Sequence, residues 1–134
     1  MNRKTIDPRL TLVVGRIVDQ HDCDAVVDPT IGRLSAGGRL SGAVLMAAGS
    51  GLASYCAPLP PLQLGEVIVT PGFNLPMPWI IHLRVPLFHE TADPGAALAT
   101  VILSALTTAE AHRSRRIAFP ALGVGQGLFP PTIA

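Results

Sequence analysis

The sequence predicts an α/β protein with a largely parallel sheet, and three observations lead to that prediction. Short β-branched runs alternate with longer helical patterns, as in chains whose crossover helices connect parallel strands. The runs are continuously apolar, which is typical of strands covered on both faces. A length of 134 residues suits one domain with one core. We therefore expect a single domain over residues 1–134.

Five apolar runs are the predicted strands, and two segments have helical patterns. The strands are expected at residues 11–14, 25–27, 67–69, 79–83 and 117–119. One helix begins at Asp93 and Pro94, a capping residue followed by proline at the first helical position, and its apolar residues keep helical spacing as far as Ala109. The other helix begins near Ser41 and ends at Gly49.

Charge and hydropathy exclude two classes of partner. The net charge is +1 and only 14% of residues are charged, so no broad basic surface is expected and strong nucleic-acid binding is not predicted. Mean hydropathy is +0.44, but the longest apolar stretch without a breaker, residues 96–109, is shorter than the roughly 20 residues that cross a bilayer. No membrane partner is expected, and the absence of a secretion signal favours an intracellular protein.

The two cysteines, Cys23 and Cys56, have no metal-binding spacing. They are neither a CxxC pair nor accompanied by two histidines nearby, so a zinc site is not predicted. We interpret both as unreactive small apolar residues, and we expect no cofactor.

Two glycine-rich segments are the candidate binding elements. Gly37 and Gly38 lie just before a predicted helix N-terminus, where free backbone N–H groups attract anions. The segment 123–127 follows the strand at 117–119, at the carboxyl end where open α/β sheets bind ligands. Each segment alone is weak evidence, because an isolated pair of glycines is more often a tight turn. Together they predict a clamp around a diphosphate, although neither matches the Walker or G-x-G-x-x-G pattern.

These segments resemble the macro domain family, in the order in which the family has them. The resemblance rests on four parts of the chain: residues 24–30; residues 37–44 with 47–49; residues 65–76 with 80–82; and residues 117–125. The third and fourth parts are the most specific.

The resemblance implies a three-layer α/β/α fold with a mixed, largely parallel sheet and a cleft for ADP-ribose. It also implies, for some members, hydrolysis of ADP-ribosyl or O-acetyl-ADP-ribose esters. The ligand-binding residues that it implies are Ile31, Gly37, Gly38, Arg39, Leu40, Gly123, Val124, Gly125, Gln126, Gly127 and Leu128.

The chain departs from the family's pattern at the positions that carry catalysis and adenine recognition. Arg16 stands near the place of an acidic residue that contacts adenine in the family. Ile31 replaces the asparagine found beside the distal ribose in hydrolytic members, and Ser41 replaces the aspartate that activates water. Neither replacement is suited to positioning or deprotonating water near neutral pH.

Three further residues have two interpretations each. Asp28 is a weak catalytic candidate, but Asp-Pro-Thr is also ordinary turn chemistry. His82 lies in a predicted strand and is interpreted first as a core histidine with satisfied hydrogen bonds. Arg39 replaces a glycine of the first loop, and its guanidinium could contact a phosphate through two N–H groups or remain solvated.

Three functions remain open at this point. The first is a binding module for ADP-ribose or a related nucleotide diphosphate, free or attached to a modified protein. The second is a hydrolase of ADP-ribose esters that uses other groups. The third is a degenerate domain that contacts proteins and no small molecule, and the oligomeric state is undetermined.

The resemblance also implies a further helix and a final strand after the second glycine segment. The sequence offers neither, so we expect a partial macro domain, a sheet that closes differently, or a strand borrowed from another copy. Weak selectivity for adenine should accompany this difference.

Overall fold

The computed structural model describes residues 7–30, residue 34 and residues 39–122, with the backbone alone for residues 39–41. A short 3₁₀ helix, Ile17–Asp19, precedes the first strand. The strands and helices that follow are, in chain order, β1 (Ala25–Thr30), α1 (Arg39–Ala48), α2 (Ser50–Cys56), β2 (Val67–Pro71), β3 (Trp79–Arg84), α3 (Pro94–Ala111) and β4 (Ile117–Ala118).

The described strands form one sheet in the order β2-β3-β1-β4. β1 runs parallel to both β3 and β4, with Ala25 opposite Trp79 on one side and opposite Ile117 on the other. β2 is antiparallel to β3, and Thr70 lies opposite Ile80. The predicted mixed, largely parallel sheet is confirmed, and four of the five predicted strands lie within a residue or a few residues of their expected bounds.

Helices cover both faces of this sheet, because alternate side chains of the central strands point to two separate cores. One core lies under α1 and α2 and contains Val26, Val44, Leu52 and Ile80. The other core lies under α3; its buried residues are Ala25, Val27, Ile81, Leu83, Val85, Leu98, Val101, Ala105, Ala109 and Leu122. The continuously apolar strands of the sequence therefore have the expected explanation, and the three-layer fold is confirmed.

Helix α3 begins as predicted. The Asp93 carboxylate accepts a hydrogen bond of 3.1 Å from the Ala96 backbone N–H, and Pro94 is the first helical residue. By length and composition its 18 residues could cross a membrane. A core helix passes the same test, and the four buried residues of α3 recur at helical spacing against the sheet.

One predicted strand is wrong, and one helix was not predicted. Residues 11–14 have no regular secondary structure and pair with none of the described strands, and Leu12 and Val14 are 97% and 106% exposed. A β-branched run becomes a strand only where another strand supplies hydrogen bonds, which the sequence pattern alone does not show. Helix α1 begins at Arg39 rather than near Ser41. Gly49, with φ of +88°, ends α1 as predicted, and α2 begins immediately after it.

The turn between β2 and β3 depends on Gly72. Its backbone N–H donates to the Pro78 carbonyl over 2.8 Å. A Cβ atom at this position would overlap the Met77 carbonyl oxygen and lie 3.1 Å from the Met77 carbonyl carbon. Only glycine allows the chain at residue 72 to approach the Met77–Pro78 backbone this closely, so this residue fixes how β2 and β3 meet.

Asp24 connects the start of β1 to the start of β4. Its Oδ2 accepts hydrogen bonds from the backbone N–H groups of Arg115 and Arg116, over 2.7 and 3.0 Å. The bond from Arg116 has the larger effect and that from Arg115 the next, and both lower the pKa of Asp24 below its ordinary value. The ionised carboxylate therefore stabilises the fold at neutral pH.

This contribution should disappear in acid. A depressed pKa adds stability that is complete above the unfolded-state value of about 3.9 and is lost as pH falls through the folded-state value. We expect Asp24→Asn to be less stable than wild type at pH 7, with the difference shrinking below about pH 4. Urea unfolding at pH 7 to 2.5 measures this, with Asp19→Asn, an exposed carboxylate, as the control. A difference that does not change with pH would contradict the assignment.

Candidate ligand-binding site

The carboxyl ends of three parallel strands meet at one edge of the sheet. Thr30 ends β1 and lies opposite Arg84, which ends β3. On the other side of β1, Ala118 ends β4. Ligands of open α/β sheets bind outside such an edge, so the segments that follow these three residues are the candidate site.

Most of the predicted binding residues lie outside the described part of the chain. These are Ile31, Gly37, Gly38, Gly123, Val124, Gly125, Gln126, Gly127 and Leu128. For Arg39 and Leu40 the structure gives only the backbone, which forms the first turn of α1. The contribution of these residues to ligand binding therefore stays a prediction.

The described residues nevertheless show where both glycine segments begin. The first segment lies between the end of β1 and the start of α1. The second follows Leu122, which is buried 4 residues after β4 ends and contacts the core under α3. Because β1 and β4 are neighbouring parallel strands, about 4.8 Å apart, both segments leave the sheet at one edge.

The later turns of α1 pack against the sheet and thereby fix the position of its N-terminus. Val44 and Ala48 are fully buried against the core under α1 and α2, so α1 is fixed on the sheet. The first-turn N–H groups of any α-helix lack partners within the helix, and the helix dipole is positive there. No acidic residue lies in the first turn of α1. This end of α1 is therefore suited to an anion.

A buried polar network crosses the sheet next to this edge. Asp28 Oδ2 and His82 Nδ1 are 2.8 Å apart, and His82 Nε2 and Thr70 Oγ1 are also 2.8 Å apart. All three residues are at most 1% exposed. The interpretation of His82 as a satisfied core histidine is confirmed, whereas Asp28 lies inside β1 and not in a turn.

The burial of Asp28 limits what its carboxylate can do chemically. A general base must come within hydrogen-bond distance of the water that it activates. In the structure Asp28 is 1% exposed and faces the protein interior, bonded to His82. Its catalytic role remains an untested prediction, and its observed contact is structural.

The Cys56 thiol lies close enough to Asp28 to be affected by its charge. Burial, and secondly the Asp28 carboxylate, raise the pKa of this thiol. Burial, then Asp22, raises the pKa of the half-buried Cys23. Both cysteines are free, Cys56 is buried, and the prediction that they are unreactive small apolar residues stays a prediction. Among the described residues no group of three His, Cys, Asp or Glu side chains could hold a metal ion.

An ion pair that the sequence did not predict holds the segment after β3. The Arg84 guanidinium contacts both carboxylate oxygens of Glu90, over 3.1 and 2.8 Å, and Glu90 also accepts from the Leu87 N–H. The Leu87 bond and then Arg84 lower the pKa of Glu90. Val85 N–H donates to Thr30 over 2.8 Å, so this segment is fixed to the end of β1. A spacing of six residues carries no sequence signal for such a pair.

Arg16, which stands near the family's adenine-contacting position, is exposed. Its side chain is 73% exposed, and its guanidinium Nη1 lies 3.7 Å from Asp19 Oδ2. An exposed pair of this kind contributes little to stability. Its positive charge cannot accept a hydrogen bond from an adenine amino group.

Comparison with known proteins agrees with this architecture. A sequence profile described as Macro domain matches residues 27–134. The chain belongs to the macro domain family. The resemblance found in the sequence is thereby confirmed.

Two curated relatives and one solved structure illustrate the similarity. Histone macroH2A1.1 of Capsaspora owczarzaki is 38% identical over 139 residues, which is 100% of this chain and 38% of that protein. ADP-ribose glycohydrolase MACROD1 of Mus musculus is 32% identical, over 95% of this chain and 40% of that protein. The Oceanobacillus iheyensis macrodomain with ADP superposes with a TM-score of 0.79 at 31% identity, over 87% of this chain and 65% of that chain. This macro domain thus spans less than two thirds of the length of these proteins.

Proposed function

We propose that this macro domain binds ADP-ribose, or an ADP-ribosyl group on a modified protein, through the two glycine-rich segments. The observation that carries the proposal is the exit of both segments from neighbouring parallel strands, β1 and β4, at one sheet edge. A diphosphate held there would meet backbone N–H groups and the positive end of α1. The similarity to a macrodomain solved with ADP supports the same ligand class.

Recognition by backbone groups explains how binding survives the substitutions in this chain. Every residue except proline has a backbone N–H group, whereas catalysis and adenine recognition depend on particular side chains. We therefore propose a binder with little demand for adenine. Arg16, exposed and positively charged, is consistent with that difference.

Calorimetric titration tests the proposal directly. ADP-ribose should bind with a stoichiometry of one, and ribose 5-phosphate, which lacks both adenine and the diphosphate, should bind far more weakly. ADP, which lacks the distal ribose, measures the share of affinity that the diphosphate and adenosine provide. If no titrant binds, the remaining candidate is a degenerate domain that contacts proteins alone.

Hydrolysis is the second candidate, favoured by the similarity to a protein named ADP-ribose glycohydrolase. Ile31 and Ser41 stand at the positions that the family's hydrolytic members use, and Asp28 is buried against His82. We propose that the wild-type chain has negligible turnover, because groups that position and activate water are replaced.

Restoring the two side chains tests this second candidate. Ile31→Asn combined with Ser41→Asp should raise release of ADP-ribose from a modified protein above the wild-type level. Proton transfer by a positioned group is typically worth about 10²–10⁴-fold, so a gain at the lower end is expected. Each single variant is the control and should gain less. Ready turnover by the wild-type chain would show that other residues perform the chemistry.

A further inference from the structure

The Asp28–His82–Thr70 network joins three neighbouring strands on one face of the sheet. Asp28 and His82 are opposite each other in the β1–β3 register. Thr70, on β2, is on the same face because its neighbour Val69 belongs to the core under α3. The network thus lies under α1 and α2.

Two hydrogen bonds connect the three side chains through the imidazole of His82. A carboxylate only accepts, so His82 Nδ1 donates to Asp28 Oδ2. His82 Nε2 then faces the Thr70 hydroxyl, which can donate or accept. Imidazole has a fixed ring geometry, and two bonds of 2.8 Å at opposite ends fix its orientation. Asp28 is thereby held at one position relative to β2 and β3.

The surroundings of the network are apolar and would accept apolar side chains. Val26 and Ile80 are fully buried, as is Cys56 of α2. Val26 precedes Asp28 and Ile80 precedes His82 by two residues, so each pair lies on the same face of the sheet. Replacing a buried polar network with apolar residues of equal volume is often neutral or stabilising. The contribution to stability therefore does not explain why Asp28, His82 and Thr70 are polar. A need to hold the three strands in one arrangement does explain it.

The network lies immediately before the ligand edge. Asp28 is two residues, or about 7 Å, from Thr30, the last residue of β1. The Thr30 carbonyl accepts a hydrogen bond from the Val85 backbone N–H. The end of β1 is therefore joined to the segment after β3. After Thr30 the chain continues toward Gly37 and Gly38 and then α1.

We propose that Asp28 is a positioning residue for ligand binding: through His82 and Thr70 it fixes the direction in which the chain leaves β1. This inference rests on the proposed binding of ADP-ribose. A binding site keeps its affinity only when supporting residues hold its geometry within about 0.5 Å. The carboxylate itself need not touch the ligand, and any side chain with an acceptor oxygen in the same place performs this role.

Two variants separate positioning from simple loss of stability. Asp28→Val removes the acceptor and fits an apolar strand, whereas Asp28→Asn keeps a carbonyl oxygen that accepts from His82 Nδ1–H. Val27→Ala is the matched control, because Val27 is adjacent on β1 but belongs to the core under α3. The affinity for ADP-ribose is measured by calorimetry at a temperature where all chains are folded. We expect Asp28→Val to weaken binding about tenfold or more, and Asp28→Asn to bind within about threefold of wild type.

Two measurements on the unliganded protein complete the test. Nitrogen-15 NMR of the imidazole should show a slowly exchanging proton on His82 Nδ1 in wild type and Asp28→Asn, and not in Asp28→Val. Hydrogen exchange of the Val85 amide should be faster in Asp28→Val than in a Val27→Ala chain of similar Tm.

The outcomes distinguish this inference from the proposed function. If wild type binds ADP-ribose and Asp28→Val binds equally well, or Val27→Ala loses as much affinity, the positioning role is overturned and the proposed function stands. If wild type does not bind, the proposed function fails and the ligand role of Asp28 fails with it. The exchange of the Val85 amide then still shows whether the network orders the end of β1.

Discussion

Replacing Gly72 with alanine is expected to destabilise the fold by about 3 kcal/mol or more, a large share of the stability of a domain this size. The new methyl group would overlap the carbonyl oxygen of Met77, which is backbone and cannot rotate away. Relief requires the two chain passes to separate, which breaks the bond from Gly72 N–H to the Pro78 carbonyl. The measurement is the free energy of unfolding from urea titration followed by circular dichroism.

The control for this variant is another glycine with space around it. A Cβ atom on Gly42, within α1, would meet nothing within 4 Å. Gly42→Ala should therefore raise stability by about 0.5–1 kcal/mol, since alanine is the better helix former. Equal stability of Gly72→Ala and wild type would mean that the turn between β2 and β3 is arranged differently.

Replacing Gly125 with valine is expected to abolish binding of ADP-ribose, at a cost of several kcal/mol. Gly125 lies outside the described residues, and the prediction comes from the sequence. A β-branched side chain restricts the backbone and prevents its close approach to phosphate oxygens, so N–H donors are lost. Calorimetry with ADP-ribose measures the loss, which should exceed about 100-fold.

A matched glycine variant distinguishes a local effect from a general one. Gly95 lies in the first turn of α3, and a Cβ atom there would approach only Asp93 Oδ1, at 3.9 Å. Gly95→Val should leave the affinity unchanged. If Gly125→Val binds ADP-ribose as wild type does, the second glycine segment does not hold the diphosphate, and the proposed clamp is wrong.

The sequence predicted correctly those strands whose apolar side chains are buried and whose backbone pairs with a neighbouring strand. Val26 and Val27 are adjacent and both fully buried, in opposite cores, so a continuous apolar run correctly indicated a doubly covered strand. Residues 11–14 have the same composition but no strand partner among the described residues. Residues 50–56 form α2, although Gly51, Ser54 and Tyr55 gave no clear apolar periodicity.

The candidate site was predicted in outline and changed in one detail. The two glycine segments were identified from their positions after apolar strands and, for Gly37 and Gly38, before a predicted helix, and the structure brings the strands that precede them together. Asp28 was interpreted as a turn residue, because Asp-Pro-Thr has turn chemistry, and alternatively as a weak catalytic candidate. The sequence does not show that His82, 54 positions away, lies opposite it.

The sequence by itself determined the family, the α/β class, the start of α3 and the absence of the family's asparagine and aspartate from positions 31 and 41. These depend on local composition, spacing and residue identity, which are readable along the chain. Only the tertiary structure shows that Asp28, His82 and Thr70 form one buried network. Only it shows that the Met77–Pro78 backbone leaves no space for a side chain on Gly72. Both depend on strand register, which is set by pairing between residues distant in sequence.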